Sequence, residues 1–99
     1  MATVIKLGTP LSIAGQKYES LTFQTFKVEY LKFITNDIYK VIGEQTLTVE
    51  EKIRASIAMA PLLACLCNVP KEVIESMDIQ DMSGIITKFG NYFNTTFTG

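Results

Sequence analysis

The 99-residue chain contains no histidine and no tryptophan, only two cysteines and three prolines, and no run of charge of either sign. Without histidine it lacks the commonest general base and the usual partner of a serine or cysteine nucleophile, so nucleophilic catalysis of the standard kind has no basis. Cys65 and Cys67 stand two apart in an apolar stretch that reads as helix. Side chains at that spacing point to different sides and cannot bridge, so both read as reduced core residues. Two thiols with no histidine and no second cysteine pair do not make a metal site. Nine basic residues against ten acidic ones leave no electrostatic footprint for phosphate neutralisation, which argues against a nucleic-acid partner. Gly8, Gly15, Gly43, Gly84 and Gly90 are scattered, with neither a GxGxxG nor a Walker pattern. The acidic pairs Glu50-Glu51 and Asp78 with Asp81 fall where helix starts favour carboxylates, and they read as caps rather than as an acid-base pair. No catalytic residue and no cofactor are expected.

A long membrane-spanning segment is missing too. The longest apolar run, Ala55 to Val69, is shorter than the roughly 20 residues a bilayer needs and is interrupted by Pro61, so it reads as a buried helix or a subunit interface. The start, Met1-Ala2-Thr3-Val4-Ile5-Lys6, has no basic region leading into a long apolar segment, so no secretory signal is read and the chain is expected in the cytoplasm. Asn94-Thr95-Thr96 matches a glycosylation acceptor and, without such a signal, carries no weight.

What is present is apolar: 47% of residues are hydrophobic and 19% charged, enough to fold one domain over 1–99 but not two separate cores. The expected class is α+β, with an N-terminal antiparallel β unit over about residues 3–26 followed by three or four α-helices. Thr3 to Leu7 and Leu11 to Ala14 suit short strands bounded by Gly8-Thr9-Pro10, and Gly15-Gln16 suits a turn. Lys17 to Phe26 then alternates with period two. From Lys27 the period lengthens: Val28, Leu31, Ile34, Ile38 and Val41 or Ile42 form the apolar stripe of one helix, with Gly43 as a left-handed stop. After a polar connector from Glu44 to Thr48, Thr48 with Glu51 makes a capping box for a second helix. That helix is apolar nearly all round after Arg54, and Pro61 either kinks or divides it. Pro70 restarts a short helix to Met77, and Asp78, with Asp81 three residues on, opens a last helix striped by Met82, Ile85 or Ile86, Phe89 and Tyr92 or Phe93. Residues 94–99 read as a frayed tail.

The surplus of large side chains points to binding. Tyr18, Phe23, Phe26, Tyr30, Phe33, Tyr39, Phe89, Tyr92, Phe93 and Phe97 are more than a small core readily encloses, and contiguous exposed apolar surface marks interaction sites. The second helix supplies the candidate partner or oligomer interface: Ile57, Met59, Leu62, Leu63 and Leu66. Because so apolar a helix needs covering, self-association is expected.

The order of segments resembles a known family. Val4-Ile5-Lys6-Leu7 with Pro10, then Gly15-Gln16-Lys17-Tyr18-Glu19-Ser20-Leu21-Thr22-Phe23, is similar to the opening of the small tail assembly chaperones of Mu-like contractile-tailed phages. Cys67 to Met82, with Pro70 starting a turn and Asp78 opening the last helix, looks like that family's closing pattern. The resemblance implies a non-enzymatic chaperone in the cytoplasm of the bacterial host. It would bind the tape-measure protein, keep it soluble during tail morphogenesis without ATP, and leave before the virion matures. It also implies, as a further partner, a longer form of the same chain made by ribosomal frameshifting. Two alternatives stand beside it. One is a small helix-turn-helix transcription regulator using Pro70 to Met77 and the helix that follows; it is weakened by the charge balance and by Ile85, Ile86 and Phe89 where a recognition helix would carry polar side chains. The other is a structural tail or connector protein retained in the particle.

Overall fold

The period-two pattern of the first quarter folds as a β-hairpin, and helices follow it, so the chain is α+β as expected. The computed structural model describes residues 3–43 and 46–98, so Glu44 and Gln45 of the expected connector lie outside the described residues. Strand β1 (Thr3–Ile13) pairs antiparallel with β2 (Gln16–Phe23). The turn is Ala14-Gly15, one residue earlier than the sequence suggests. Both residues have positive φ, +51° and +79°, and the flanking Ile13 and Gln16 are paired, the geometry of a two-residue type I′ hairpin.

The separate strands expected on either side of Gly8-Thr9-Pro10 are one strand with a bulge. Lys6 pairs with Ser20 and Leu11 with Tyr18, so the four residues Leu7 to Pro10 stand opposite Glu19 alone. The bulge moves the inward side of β2 from odd to even positions while β1 keeps its own. Before it, Ile5 and Leu7 on β1 and Leu21 and Phe23 on β2 are buried; beyond it, Leu11 and Tyr18 share a half-buried face and Glu19 is exposed.

The single helix expected from Val28 to Ile42 is two elements. A 3-10 helix, Val28–Phe33, is separated from α1 (Asn36–Ile42) by Ile34 and Thr35, both with extended backbone. At three residues per turn, positions i and i+3 eclipse. Tyr30 and Phe33 therefore face inward together while Val28 (82% exposed) and Leu31 (44%) face out, which removes both from the predicted core stripe. Ile38 and Val41, in true α-helix, stay buried. Gly43 has φ −73°, so α1 ends without the left-handed stop expected there.

Helix α2 (Val49–Cys67) begins with the expected capping box. The Thr48 amide donates to Glu51 Oε1 at 2.9 Å and the Glu51 amide donates to Thr48 Oγ1 at 3.1 Å. It runs unbroken past Pro61 and ends at Asn68 in the left-handed region. Its buried side, Ala55, Met59, Leu62, Leu63 and Leu66, is the centre of the core and meets the 3-10 helix, α1 and β2. A short helix α3 (Lys71–Glu75) follows Pro70 and adds Val73 and Ile74. In α4 (Ile79–Thr98) the expected stripe is present: Met82, Ile85, Ile86 and Phe89 are buried, with Tyr92 and Phe93 half-buried.

Polar contacts hold both ends of α4. Asp78 caps it, accepting from the Gln80 amide at 2.9 Å, and Asn94 Nδ2 donates to the Ile42 carbonyl at 2.9 Å. The tail read as frayed from Asn94 is instead helical to Thr98, because that amide ties its start to the end of α1; Gly99 and the side chain of Phe97 lie outside what is described. Among the described residues no helix is long and apolar enough to cross a membrane.

Candidate binding groove

Most of the aromatic surplus is absorbed by the fold, with Tyr39 left 60% exposed. Phe23, Phe26, Tyr30, Phe89, Tyr92 and Phe93 form one cluster joining β2, the 3-10 helix and α4. Its contacts are mostly edge-to-face, as ring quadrupoles prefer: Phe26 to Tyr30 at 5.6 Å and 86°, Phe26 to Phe93 at 5.5 Å and 89°, Phe23 to Tyr92 at 5.3 Å and 66°. The hydroxyl of Tyr92 donates to the Gln24 carbonyl at 3.0 Å, so its polar end is satisfied. The large apolar groups left outside are mainly aliphatic.

Four of the five candidate interface residues move with the aromatics into the core. Met59, Leu62, Leu63 and Leu66 have no exposed surface at all (0% each), because the hairpin, the 3-10 helix and α1 close over that side of α2. They pack this chain and are not available to a partner, which corrects the surface assigned to them from sequence. Ile57 alone is on the outside, 72% exposed. It ends a stripe that periodicity at α2 did not single out: Val49, Ile53 and Ile57 recur every four residues along one side of the helix, and Val49 is 75% and Ile53 52% exposed. The signal was in the sequence as a second apolar line beside the core line.

That stripe borders an open groove of about 700 Å³ between α2 and α4. Val49 and Ile53 form one wall, Ile79, Ile86 and Thr87 the other, and Val41 and Leu47 close the end nearest α1. Ile79 is 67% exposed, so aliphatic surface stands open on both sides. Two of the hydroxyls at its edges are engaged, Ser56 Oγ donating to the Lys52 carbonyl at 2.8 Å and Thr87 Oγ1 to the Ser83 carbonyl at 3.3 Å, and Thr46, Ser83 and Asn91 line it as well. Of the acidic residues at the start of α2, Glu50 is paired with Arg54 and Glu51 with Lys40 at 3.0 Å. Lys52 lines the groove and has no ion pair among the described residues.

Two titratable groups are shifted by their surroundings. The Glu51 carboxyl is held down to about 2, first by the Thr48 amide that donates to it and then by the Lys40 ammonium. Burial pushes the Cys67 thiol up to about 12, which keeps it protonated and unreactive at neutral pH. Cys65, read from sequence as a core residue, is exposed. Comparison with family models, curated proteins and solved structures gives no match to this chain.

Proposed function

We propose that this chain is a non-enzymatic binding protein that shields an apolar helical client, acting as a tail assembly chaperone for a phage tape-measure protein in the cytoplasm of the bacterial host. The observation that carries this reading is that Val49 and Ile53 face Ile79 across an open groove, with Ile57 exposed one turn beyond, in a chain whose core is built without those residues. Apolar surface left exposed in this way costs solvation free energy and marks a place where another molecule binds. An elongated helical client aggregates unless such a surface covers it, and the order of segments from Val4 to Met82 resembles proteins that do this work. The helix-turn-helix alternative is weakened by the charge balance, since nine basic residues against ten acidic ones give no basic face for the phosphates. Of the apolar helix from Ile53 to Leu66 that motivates self-association, Met59, Leu62, Leu63 and Leu66 are covered by the chain itself, while Ile53 and Ile57 stay exposed.

Co-expression with the tape-measure protein of the same phage tests the assignment. The wild-type chain is expected to keep that client soluble and to co-purify with it. Ile53→Asp, at an exposed position, is expected to abolish the rescue while leaving the helical circular dichroism and the melting transition unchanged. A wild-type chain that neither binds nor solubilises the client refutes the assignment.

A further inference from the structure

The walls of the groove restrict what can fill it. Beyond their first turns, α2 and α4 bond their amides and carbonyls internally, and the hydroxyls of Ser56 and Thr87 are turned onto backbone carbonyls of their own helices. An extended segment laid against such walls would find only a few side chains, those of Thr46, Ser83 and Asn91, for its row of backbone polar groups, whereas an α-helix arrives with them already bonded. Charge narrows the choice further. Lys52 is the charged side chain that lines the groove, and its neighbours Glu50 and Glu51 are neutralised by Arg54 and Lys40. The groove thus has mainly aliphatic walls, a polar margin that includes Thr46, Ser83 and Asn91, and one uncompensated ammonium among the described residues.

We propose that this groove takes an α-helix of the partner whose inward face is aliphatic and which carries an aspartate or glutamate opposite Lys52. The proposal rests on the client-binding reading above and adds the chemistry of the segment bound. Val49 and Ile53 form an i, i+4 ridge of the kind that interdigitates with the ridges of a second helix. Ile57 extends that ridge by one turn beyond the groove.

The test uses the full chain and two fluorescein-labelled helix-forming peptides. Both carry leucine at i, i+3, i+4 and i+7; one has a glutamate beside the stripe and the other a lysine at the same place. In fluorescence anisotropy the glutamate peptide is expected to bind the wild-type chain about threefold more tightly or better, the size of an exposed ion pair. Lys52→Glu is expected to reverse that preference, and Ile53→Asp to weaken both peptides by about tenfold or more with no change in melting. Equal binding of the two peptides, or a preference that Lys52→Glu does not reverse, overturns the proposal. So does sedimentation in which Ile53→Asp turns a dimer into a monomer while neither peptide binds, an outcome that gives the groove to a second copy. The two readings separate cleanly. Rescue of the tape-measure protein without a charge preference keeps the chaperone and discards the acidic helix; a reversible charge preference without rescue does the opposite.

Discussion

Asp81 closes a gap that the hairpin leaves in its own hydrogen bonding, and replacing it tests how much of the fold depends on that closure. With Leu7 to Pro10 bulged opposite Glu19, the amides of Gly8 and Thr9 fall outside the paired ladder, and Pro10 has no amide. The Asp81 carboxylate, from the first turn of α4, accepts both: Gly8 N to Oδ1 at 2.9 Å and Thr9 N to Oδ2 at 3.0 Å. Hydrogen bonds to a charged group each contribute roughly 1.5–3 kcal/mol. Water reaches this half-exposed site and takes up part of the loss, so Asp81→Ala is expected to cost about 2 kcal/mol for the pair. For a domain of this size that lowers Tm by roughly 10 °C. Asp81→Asn should cost about as much, because its amide nitrogen would meet a second donor. Part of either loss belongs to the helix dipole, since Asp81 sits in the first turn, and a double-mutant cycle isolates the rest. A Cβ on Gly8 would lie 3.1 Å from Asp81 Oδ1, so Gly8→Ala pushes directly on the carboxylate. Urea unfolding of Gly8→Ala, Asp81→Ala and the double variant should therefore show a coupling on the order of 0.5–1 kcal/mol. Hydrogen exchange gives the local readout: protection at the Gly8 and Thr9 amides should vanish in Asp81→Ala while protection at Ile5 persists. A loss below about 0.5 kcal/mol for Asp81→Ala, or additive effects in the cycle, would show that the reasoning is wrong.

Other positions give shorter tests. Ala14 holds a positive φ of 51° in the type I′ turn, where asparagine or glycine fits without the penalty of a Cβ, so Ala14→Asn should raise stability by roughly 0.5–1 kcal/mol in thermal unfolding. Leu62→Asp places a charge at a site with no exposed surface and should leave the chain unfolded by circular dichroism, while Ile57→Asp, at 72% exposure, should melt as the wild type does. The pH dependence has two limits. Glu51 has a lowered folded pKa, so its contribution is present above 4.5 and is lost as pH falls through about 2; Cys67 has a raised one, so its contribution is present below 9.0 and declines as pH rises toward about 12. Urea midpoints measured from pH 2 to 11 should fall at both ends, and Cys67→Ala should flatten only the alkaline fall.

The parts of this fold that were legible in the sequence are those decided within one turn or one strand. Thr48 and Glu51 announce their capping box because its two partners are three residues apart, and Asp78 announces the start of α4 for the same reason. The aromatic and aliphatic stripe of α4 follows from a single period. What was not legible depends on contacts between distant segments. Nothing local says that Val28 to Phe33 winds at three residues per turn, since its apolar spacing fits either helix; the choice is made by Tyr30 and Phe33 turning inward, Tyr30 against Phe26 with its hydroxyl donating to the Cys65 carbonyl at 3.4 Å. Asp81 looks like a helix-start carboxylate from sequence, and its partners Gly8 and Thr9 lie more than seventy positions away. The candidate site was half legible: α2 was the right helix, yet a helix apolar nearly all round does not say which of its lines the rest of the chain will cover.

That last uncertainty is resolved along α2 itself, and the way it is resolved bears on function. Ile53, Ala60 and Cys67 are seven residues apart, so they lie on nearly the same side of the helix two turns from one another. Ile53 is 52% exposed, Ala60 is 7% and Cys67 is 5%. One apolar side is therefore open in the first half of the helix and closed in the second, with Pro61 at the change. Small side chains, alanine and cysteine, occupy the closed half, where neighbouring parts of the same chain come close; large aliphatic ones, valine and isoleucine, occupy the open half. If the open half were only solvated surface, polar residues there would cost the fold nothing and lower the risk of aggregation. Large aliphatic groups kept where no element of the described chain covers them are better explained by a partner that does, and the groove they form with α4 is where the proposal places it.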